Sequence, residues 1–298
     1  MWQVTGKELW AWRHEMRQRT EDVGIDPREL DWFLGWVSDL DSLTLKLGIL
    51  RQLQEVSLKL SLQELAHLWR QRLCDRVPVQ YLTGQTTWRN FTLRVTPSVL
   101  IPRPETELII DRVVEAVESS PHRDALQQGT WVDMGTGSGA IALGLAEAFA
   151  AADIVAVDQS SDALAVARQN ARAYDMENRI TFYQGSWFEP LAADCSLTAM
   201  VSNPPYIPTD ILNSLQPEVL YHEPAAALDG GKDGLEYIRT LADQAPHYLI
   251  RGGLWIVETM AGQGKAVQNL LAQTGHYQDI QIHLDLAGLD RFVMAFKR

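Results

Sequence analysis

Two short stretches of this chain carry residue types that could do chemistry together. One is Asn203-Pro204-Pro205-Tyr206; the other is the glycine-rich run Asp133-Met134-Gly135-Thr136-Gly137-Ser138-Gly139, about seventy residues earlier. The first follows an apolar run, Leu197 to Val201. Two successive prolines fix φ at about −65° and remove two backbone donors, so the loop is stiff. A stiff loop can hold the Asn203 side-chain oxygen and the Pro204 carbonyl as two converging acceptors, while Tyr206 offers a flat face to a planar group. The group such a loop fits is an –NH2 on an sp2 centre, either a carboxamide or an exocyclic base amine. The glycine-rich run, read as strand, tight turn and helix, lets a nucleotide-like ligand approach backbone amides at a helix start. Together they read as a methyl donor held by one loop and a planar nitrogen acceptor held by the other.

Glycine turns alone serve dinucleotide enzymes equally well. Here the spacing is Gly-x-Gly-x-Gly, without the third glycine placement of the dinucleotide fingerprint. An acid, Asp158, stands nineteen residues past Gly139 and directly after the apolar run Ile154 to Val157. At a strand end its carboxylate would accept hydrogen bonds from both hydroxyls of a ribose. The plainer role for Asp158, a helix N-cap, is better served by Ser160 and Ser161. A third wall is expected from Gly185-Ser186-Trp187-Phe188, where Trp187 would lie beside an adenine ring, or else pack in the core. The seven histidines show no ligand spacing, Cys74 and Cys195 match no metal or redox pattern, and no nucleophile–base arrangement stands out, so no metal is expected.

Elements that would position these loops follow from the periodicity. From Glu105 onward helix and strand alternate: a helix over 106–118, strand Thr130–Met134, a helix from Ala140, strand Asp153–Val157 and a helix over 161–174. Strands Ile180–Tyr183 and Leu197–Ser202 come next, then a helix over 234–250, strand Leu254–Glu258, a helix over 264–274, and strands Gln278–Leu284 and Arg291–Phe296 pairing antiparallel. Such alternation builds an α/β fold with a mainly parallel sheet covered on both faces. Residues 1–80 instead show apolar residues at three- and four-residue spacings and read as four or five short helices. Thr5 with Glu8 and Ser61 with Glu64 resemble capping boxes, and Asp26-Pro27 sets proline in a first turn. Six tryptophans (2, 10, 12, 32, 36 and 69) fall in this part, as core filling or as anchors for a protein partner. Residues 81–104, with short strands either side of Asn90 and prolines at 97, 102 and 104, read as a hairpin linker to a catalytic domain over 105–298.

Bulk properties narrow the function classes. The 298 residues are 46% hydrophobic and 21% charged, an ordinary globular composition. No apolar run is long enough to span a membrane, and the N-terminus lacks the pattern of a signal peptide, so a soluble cytoplasmic protein is expected, acting as a monomer. The formal charge is −12. Residues 1–80 carry eleven basic and twelve acidic side chains, so the excess acid lies in the remainder. Grip on duplex nucleic acid draws on Lys and Arg neutralising phosphates; a protein or small-molecule substrate suits this chain better, and no direct nucleic-acid contact is expected.

Four stretches carry a specific resemblance. They are Arg76-x-Pro78-x-Gln80-Tyr81-x-x-Gly84 leading into Leu100-Ile-Pro-Arg-Pro-Glu-Thr-Glu107; Asp133-x-Gly-Thr-Gly-Ser-Gly-x-Ile-Ala-Leu143; Asn203-Pro-Pro-Tyr-Ile207; and Glu223-Pro-x-x-Ala-Leu-x-Gly-Gly-x-Asp-Gly-Leu235 with Asp285-Leu-Ala-Gly-x-Asp-Arg291. The chain resembles the HemK/PrmC family of S-adenosylmethionine-dependent methyltransferases, which modify the glutamine side-chain amide of peptide-chain release factors. The resemblance implies a class I methyltransferase fold, Rossmann-like with a seven-stranded sheet, beside a small helical domain that grips the release factor. It implies that Gly135, Thr136, Gly137, Ser138, Gly139, Asp158, Trp187 and Asn203 bind S-adenosylmethionine, which leaves as S-adenosylhomocysteine. Asn203, Pro204, Pro205 and Tyr206 would receive the glutamine of a Gly-Gly-Gln loop, with Asn203, Pro204 and Tyr206 serving the transfer, and no dedicated base is expected near Tyr206. Ser186 stands where many relatives carry an acid, and Glu258-Thr-Met-Ala-Gly-Gln263 is a loosened form of a family stretch. Neither departure is expected to touch the chemistry. The other readings are a ribosomal-protein glutamine methyltransferase, an adenine-N6 nucleic-acid methyltransferase sharing the Asn-Pro-Pro-Tyr loop, and a catalytically idle binding protein.

Overall fold

Helical spacing at the start of the chain and helix–strand alternation after it produce two units. One comprises Met1–Gly84 together with Pro217–His222, the other Gln85–Gln216 together with Glu223–Arg298. The computed structural model describes residues 1–298, the Ser42 side chain excepted.

In the first unit, α1 (Gly6–Asp22), α2 (Arg28–Val37), α3 (Ser42–Lys46), α4 (Leu62–Cys74) and α5 (Val79–Thr83) surround Leu9, Phe33, Leu34, Leu65 and Trp69. Both capping boxes form. Glu8 N donates to Thr5 Oγ1 at 3.2 Å while Thr5 N donates to the Glu8 carboxylate at 2.8 Å. Ser61 and Glu64 repeat this at 3.2 and 2.7 Å. The start of α2 differs: Pro27 is the residue before the helix, and the Asp26 carboxylate takes the Arg28 N–H at 2.9 Å. A pair of three-residue strands, β1 (Trp2–Val4) and β2 (Val56–Leu58), was not expected; it joins segments more than fifty residues apart. The tryptophans divide. Trp69 is fully buried and donates to Thr20 Oγ1 at 3.1 Å, whereas Trp2 is 56% exposed and Trp10, Trp12, Trp32 and Trp36 are half-buried against the core.

This unit also includes α10 (Pro217–His222), from far downstream. The buried Arg72 guanidinium bridges Glu29 at 2.7 Å and Glu218 at 2.9 Å. Arg76 reaches the same Glu218 oxygen at 2.8 Å, and the His222 ring lies 2.7 Å from the Asp75 carbonyl. Burial acts to raise the Glu218 carboxyl, but a backbone hydrogen bond together with Arg72 and Arg76 outweighs it and holds the group below its usual range.

The second unit opens with the hairpin β3 (Gln85–Trp88) and β4 (Phe91–Arg94), then α6 (Leu108–Ser119) and α7 (Arg123–Gln128). The strands β5 (Thr130–Met134), β6 (Asp153–Asp158), β7 (Ile180–Gln184), β8 (Leu197–Ser202), β9 (Leu249–Glu258), β10 (Tyr277–Leu284) and β11 (Asp290–Lys297) form one sheet in the order β10-β11-β9-β8-β5-β6-β7. Only β11 runs against the rest. Between the strands lie α8 (Ala140–Ala148), α9 (Ser161–Ala173), α11 (Glu236–Tyr248) and α12 (Gly264–Thr274). Strand alternation sends Trp131, Ile154, Ala156 and Val201 to the core shared with α6, α8 and α9. The intervening Val132, Met134, Val155 and Met200 face α11 and α12. Burial on both faces explains why these strands read as continuous apolar runs. The sheet therefore has the doubly covered, seven-stranded form expected for a class I methyltransferase. The hairpin is tied to this unit: Tyr174 Oη accepts from Thr92 N at 2.5 Å, and the Asn170 side chain exchanges bonds with both backbone groups of Arg94.

Candidate active site

Because β5, β6, β7, β8 and β9 run parallel, their carboxyl ends reach one edge of the sheet. The register sets Met134 opposite both Val157 and Ser202, and Ser202 opposite Val257. The next residues, Gly135, Asp158, Asn203 and Glu258, consequently emerge at the same level. Strand order reverses between β5 and β8, the place where open α/β sheets leave a crevice. A cavity of about 340 Å3 lies there, within the size range of small-molecule sites.

Gly135, Thr136, Gly137 and Ser138 form one wall of it, with Asp158 and Trp187 beside them and Asn203 and Pro205 at the other end. Gly139, Pro204 and Tyr206 do not line it. The turn is braced from below: Gly135 N and Thr136 N both donate to the Val157 carbonyl, at 2.9 and 3.0 Å. Gly135 has a φ of 80°, and a Cβ there would stand 3.7 Å from the Trp187 ring, in contact with it. Gly139 has a φ of 84°, and its Cβ would meet that of Ala167 at 3.1 Å, so its role is close approach of α8 to α9. Asn170, buried on α9, donates to the Ser138 carbonyl at 2.8 Å and so links the turn to the hairpin; sequence reading missed it.

Asp158 accepts from Gly137 N through Oδ2 and from Ser160 N through Oδ1, each at 2.9 Å. A carboxylate has about four lone-pair sites, so both oxygens keep capacity toward the cavity. Burial raises its pKa and these two bonds oppose the rise. Ser160 is the cap of α9, accepting from Ala163 N at 3.2 Å. Asp133 lies under the turn, fully buried: Oδ2 accepts from Thr136 Oγ1 at 2.6 Å and Ala142 N at 3.1 Å, while Oδ1 has no partner among the described residues. Burial pushes its carboxyl up to about 7.

Trp187 has a φ of 52°, the left-handed region that non-glycine residues adopt at a cost and that clusters at functional sites. That backbone turns its ring out against Tyr237, centroids 5.5 Å apart, while Phe188 goes into the core and stacks on Tyr248. Tyr237 lines the cavity too and carried no signal in the sequence.

At the acceptor end, Asn203 Nδ2 points to Thr106 Oγ1 at 3.4 Å, and Thr106 Oγ1 donates to Glu258 Oε2 at 2.7 Å. The Tyr206 hydroxyl donates to Glu258 Oε1 at 3.2 Å, and its carbonyl accepts from Gln263 Nε2 at 3.0 Å. Glu258 is fully buried and its carboxyl is pushed up to about 7, chiefly by that burial. Burial and the neighbouring Glu258 also raise the pKa of the Tyr206 phenol. The sequence showed no acid near Tyr206, and the structure sets Glu258 beside it; through Glu258 and Gln263 the stretch Glu258–Gln263 supports the Asn-Pro-Pro-Tyr loop. The available signal was an acid directly after an apolar strand, the same position that singled out Asp158. Segment 98–103 also reaches the cavity through Ser98, Leu100, Pro102 and Arg103, and Arg103 Nη2 bridges both oxygens of the buried Glu223 at 2.8 Å.

A family model described as Methyltransferase small domain matches residues 113–220. A release factor glutamine methyltransferase of Synechocystis sp. is 51% identical over 295 residues, covering 98% of this chain and 97% of its own. The chain belongs to the release factor glutamine methyltransferase family. Another member, from Gloeobacter violaceus, is 40% identical with 96% of each chain covered. The crystal structure of a methyltransferase from Pyrococcus furiosus matches 80% of this chain and 99% of its own at a TM-score of 0.50 and 16% identity, a likeness of fold.

Proposed function

We propose that this chain transfers a methyl group from S-adenosylmethionine to the side-chain amide nitrogen of the glutamine in the Gly-Gly-Gln loop of peptide-chain release factors. The observation that carries the reading is one cavity walled by Asp158 and the glycine turn at one end and by Asn203 at the other. The residues fit such a methyl donor: an acceptor carboxylate with capacity for a ribose diol, an aromatic ring beside it, and a turn whose Gly135 lies against that ring. When bound, S-adenosylmethionine supplies an electrophilic methyl carbon on a sulfonium sulfur. Asn203 Oδ1, at the cavity wall, would accept one amide hydrogen and aim the nitrogen along the line of attack; the Pro204 carbonyl, which would take the second, belongs to a buried residue outside the cavity lining. An amide nitrogen is a poor nucleophile, so orientation must supply much of the acceleration, and well-oriented pairs gain on the order of 7–11 kcal/mol. With the donor bound, the N–C bond would form as the S–C bond breaks, S-adenosylhomocysteine would leave, and the surplus N–H proton would pass to water.

The first unit docks the protein substrate in this reading, with exposed Trp2 and half-buried Trp10, Trp12, Trp32 and Trp36 supplying aromatic anchors. A charge of −12 disfavours nucleic acid as the acceptor. No helix of the described residues is long and apolar enough to cross a membrane, in keeping with work on translation termination in the cytoplasm. The test is mass spectrometry of a purified release factor incubated with the protein and S-adenosylmethionine. One added methyl on the Gly-Gly-Gln glutamine, absent with Asn203→Ala, is expected. A release factor left unmodified while the methyl donor binds tightly would overturn the reading.

A further inference from the structure

We infer that Thr106 and Glu258 act as positioning residues that set the polarity of the Asn203 carboxamide, holding its oxygen toward the acceptor nitrogen; this rests on the amide-methylating reaction proposed above.

The argument is one of hydrogen bookkeeping. An ionised carboxylate accepts and cannot donate. Both Glu258 oxygens are engaged by hydroxyls, Oε2 by Thr106 at 2.7 Å and Oε1 by Tyr206 at 3.2 Å. Thr106 has one hydroxyl hydrogen, and its bond to Glu258 uses it. What Thr106 then shows to Asn203 is lone pairs only, so it selects the Nδ2 side of the amide, found at 3.4 Å. That distance is long for an N–H···O bond, which suits a contact whose use is orientation more than strength. The opposite amide orientation sets Oδ1 against the Thr106 lone pairs and aims two N–H groups at an acceptor nitrogen that itself carries hydrogens. Each mismatch is a repulsion. A buried acid is costly to keep, and no neutral side chain at position 258 obliges both hydroxyls to donate, since an amide there can donate as well.

The same arrangement makes the polarity depend on proton concentration. Burial pushes Glu258 up to about 7, with Glu105 adding to the rise and the bonds from Thr106 and Tyr206 and the charge of Arg291 opposing it. Arg103 and Glu105 also act on the adjoining Tyr206 hydroxyl, in opposite senses. Protonated Glu258 can donate to Thr106, freeing the Thr106 hydrogen to turn toward Asn203 Oδ1. The amide then reverses and transfer falls. Activity accordingly rises with pH through the neutral region, and the rise passes through Thr106.

The experiment measures methyl transfer to a purified release factor across pH, with methyl-donor affinity by calorimetry, for the full-length wild type, Thr106→Val, Thr106→Ser and Glu258→Gln. Thr106→Val is expected to lower kcat on the order of 100-fold, the scale of a misplaced reacting group, with methyl-donor Kd within about twofold, and to lose the acid limb of the profile. Thr106→Ser restores both rate and limb. Glu258→Gln slows transfer and flattens the profile; should it not fold, the Thr106 pair decides. Unchanged kcat in Thr106→Val, a retained acid limb, or an equal loss of methyl-donor binding would overturn the inference. A wild type that binds the methyl donor but methylates no release factor overturns the parent reading, and the relay with it.

Discussion

Asp158 is held by the Gly137 and Ser160 amides and still faces the cavity, which separates its work from that of Asn203. Asp158→Ala should raise the methyl-donor Kd by roughly tenfold or more, since hydrogen bonds to a charged group contribute about 1.5–3 kcal/mol. Asn203→Ala should nearly abolish transfer with little change in that Kd. Calorimetry alongside a transfer assay reads both, and an equal loss of binding and turnover in Asn203→Ala would remove Asn203 from the acceptor role. Asp133 carries a pH-dependent prediction. Its folded pKa of about 7 lies above the ordinary value of 3.8, so the fold favours the protonated form. That contribution is fully present below the unfolded pKa and lost as pH rises through about 7. Asp133→Asn should therefore compare best with wild type at pH 8 and less well at pH 5, where most of that difference is gone; a variant less stable at pH 8 than at pH 5, relative to wild type, contradicts this. At this scale the sequence made Asp158, Trp187 and Asn203 visible because each sits beside a local motif. Thr106 and Glu258 each fell in a quoted stretch, but their contact did not show, since it joins residues 152 apart.

Most elements of the second unit were legible: Thr130–Met134 and Leu197–Ser202 came out as read and Ile180–Gln184 was short by one, but β9 begins at Leu249, five residues before the Leu254 expected, and α7 was not foreseen. Buried parallel strands are dense apolar runs, and the helices between them have strong three- and four-residue spacing. The pair β1 and β2 was not legible, since three residues carry no period and their pairing spans most of the first unit. Helix starts were better marked. The Ser61–Glu64 box closes two otherwise open N–H groups of α4, so Ser61→Ala should cost about 1 kcal/mol by urea denaturation. A cost near zero would mean that packing of Leu65 and Trp69 alone fixes that helix.

Across the whole molecule, nothing in the sequence foretold that Pro217–His222 belongs with the first unit. Ion pairs join its Glu218 to two arginines more than 140 residues away, a relation no local pattern encodes. Glu218→Ala leaves the buried Arg72 with Glu29 as its remaining carboxylate and should destabilise the protein by about 1.5–3 kcal/mol. Denaturation curves for the variant, with Glu218→Gln as the partial control, measure it. The path of the chain has a consequence for ancestry. It passes between its units at Gly84, at Gln216 and again at His222. A protein with one linker can exchange its accessory domain in a single recombination event. Here such an event would strand the six residues Pro217–His222 away from the unit they pack in, so a single cut does not separate the two parts cleanly.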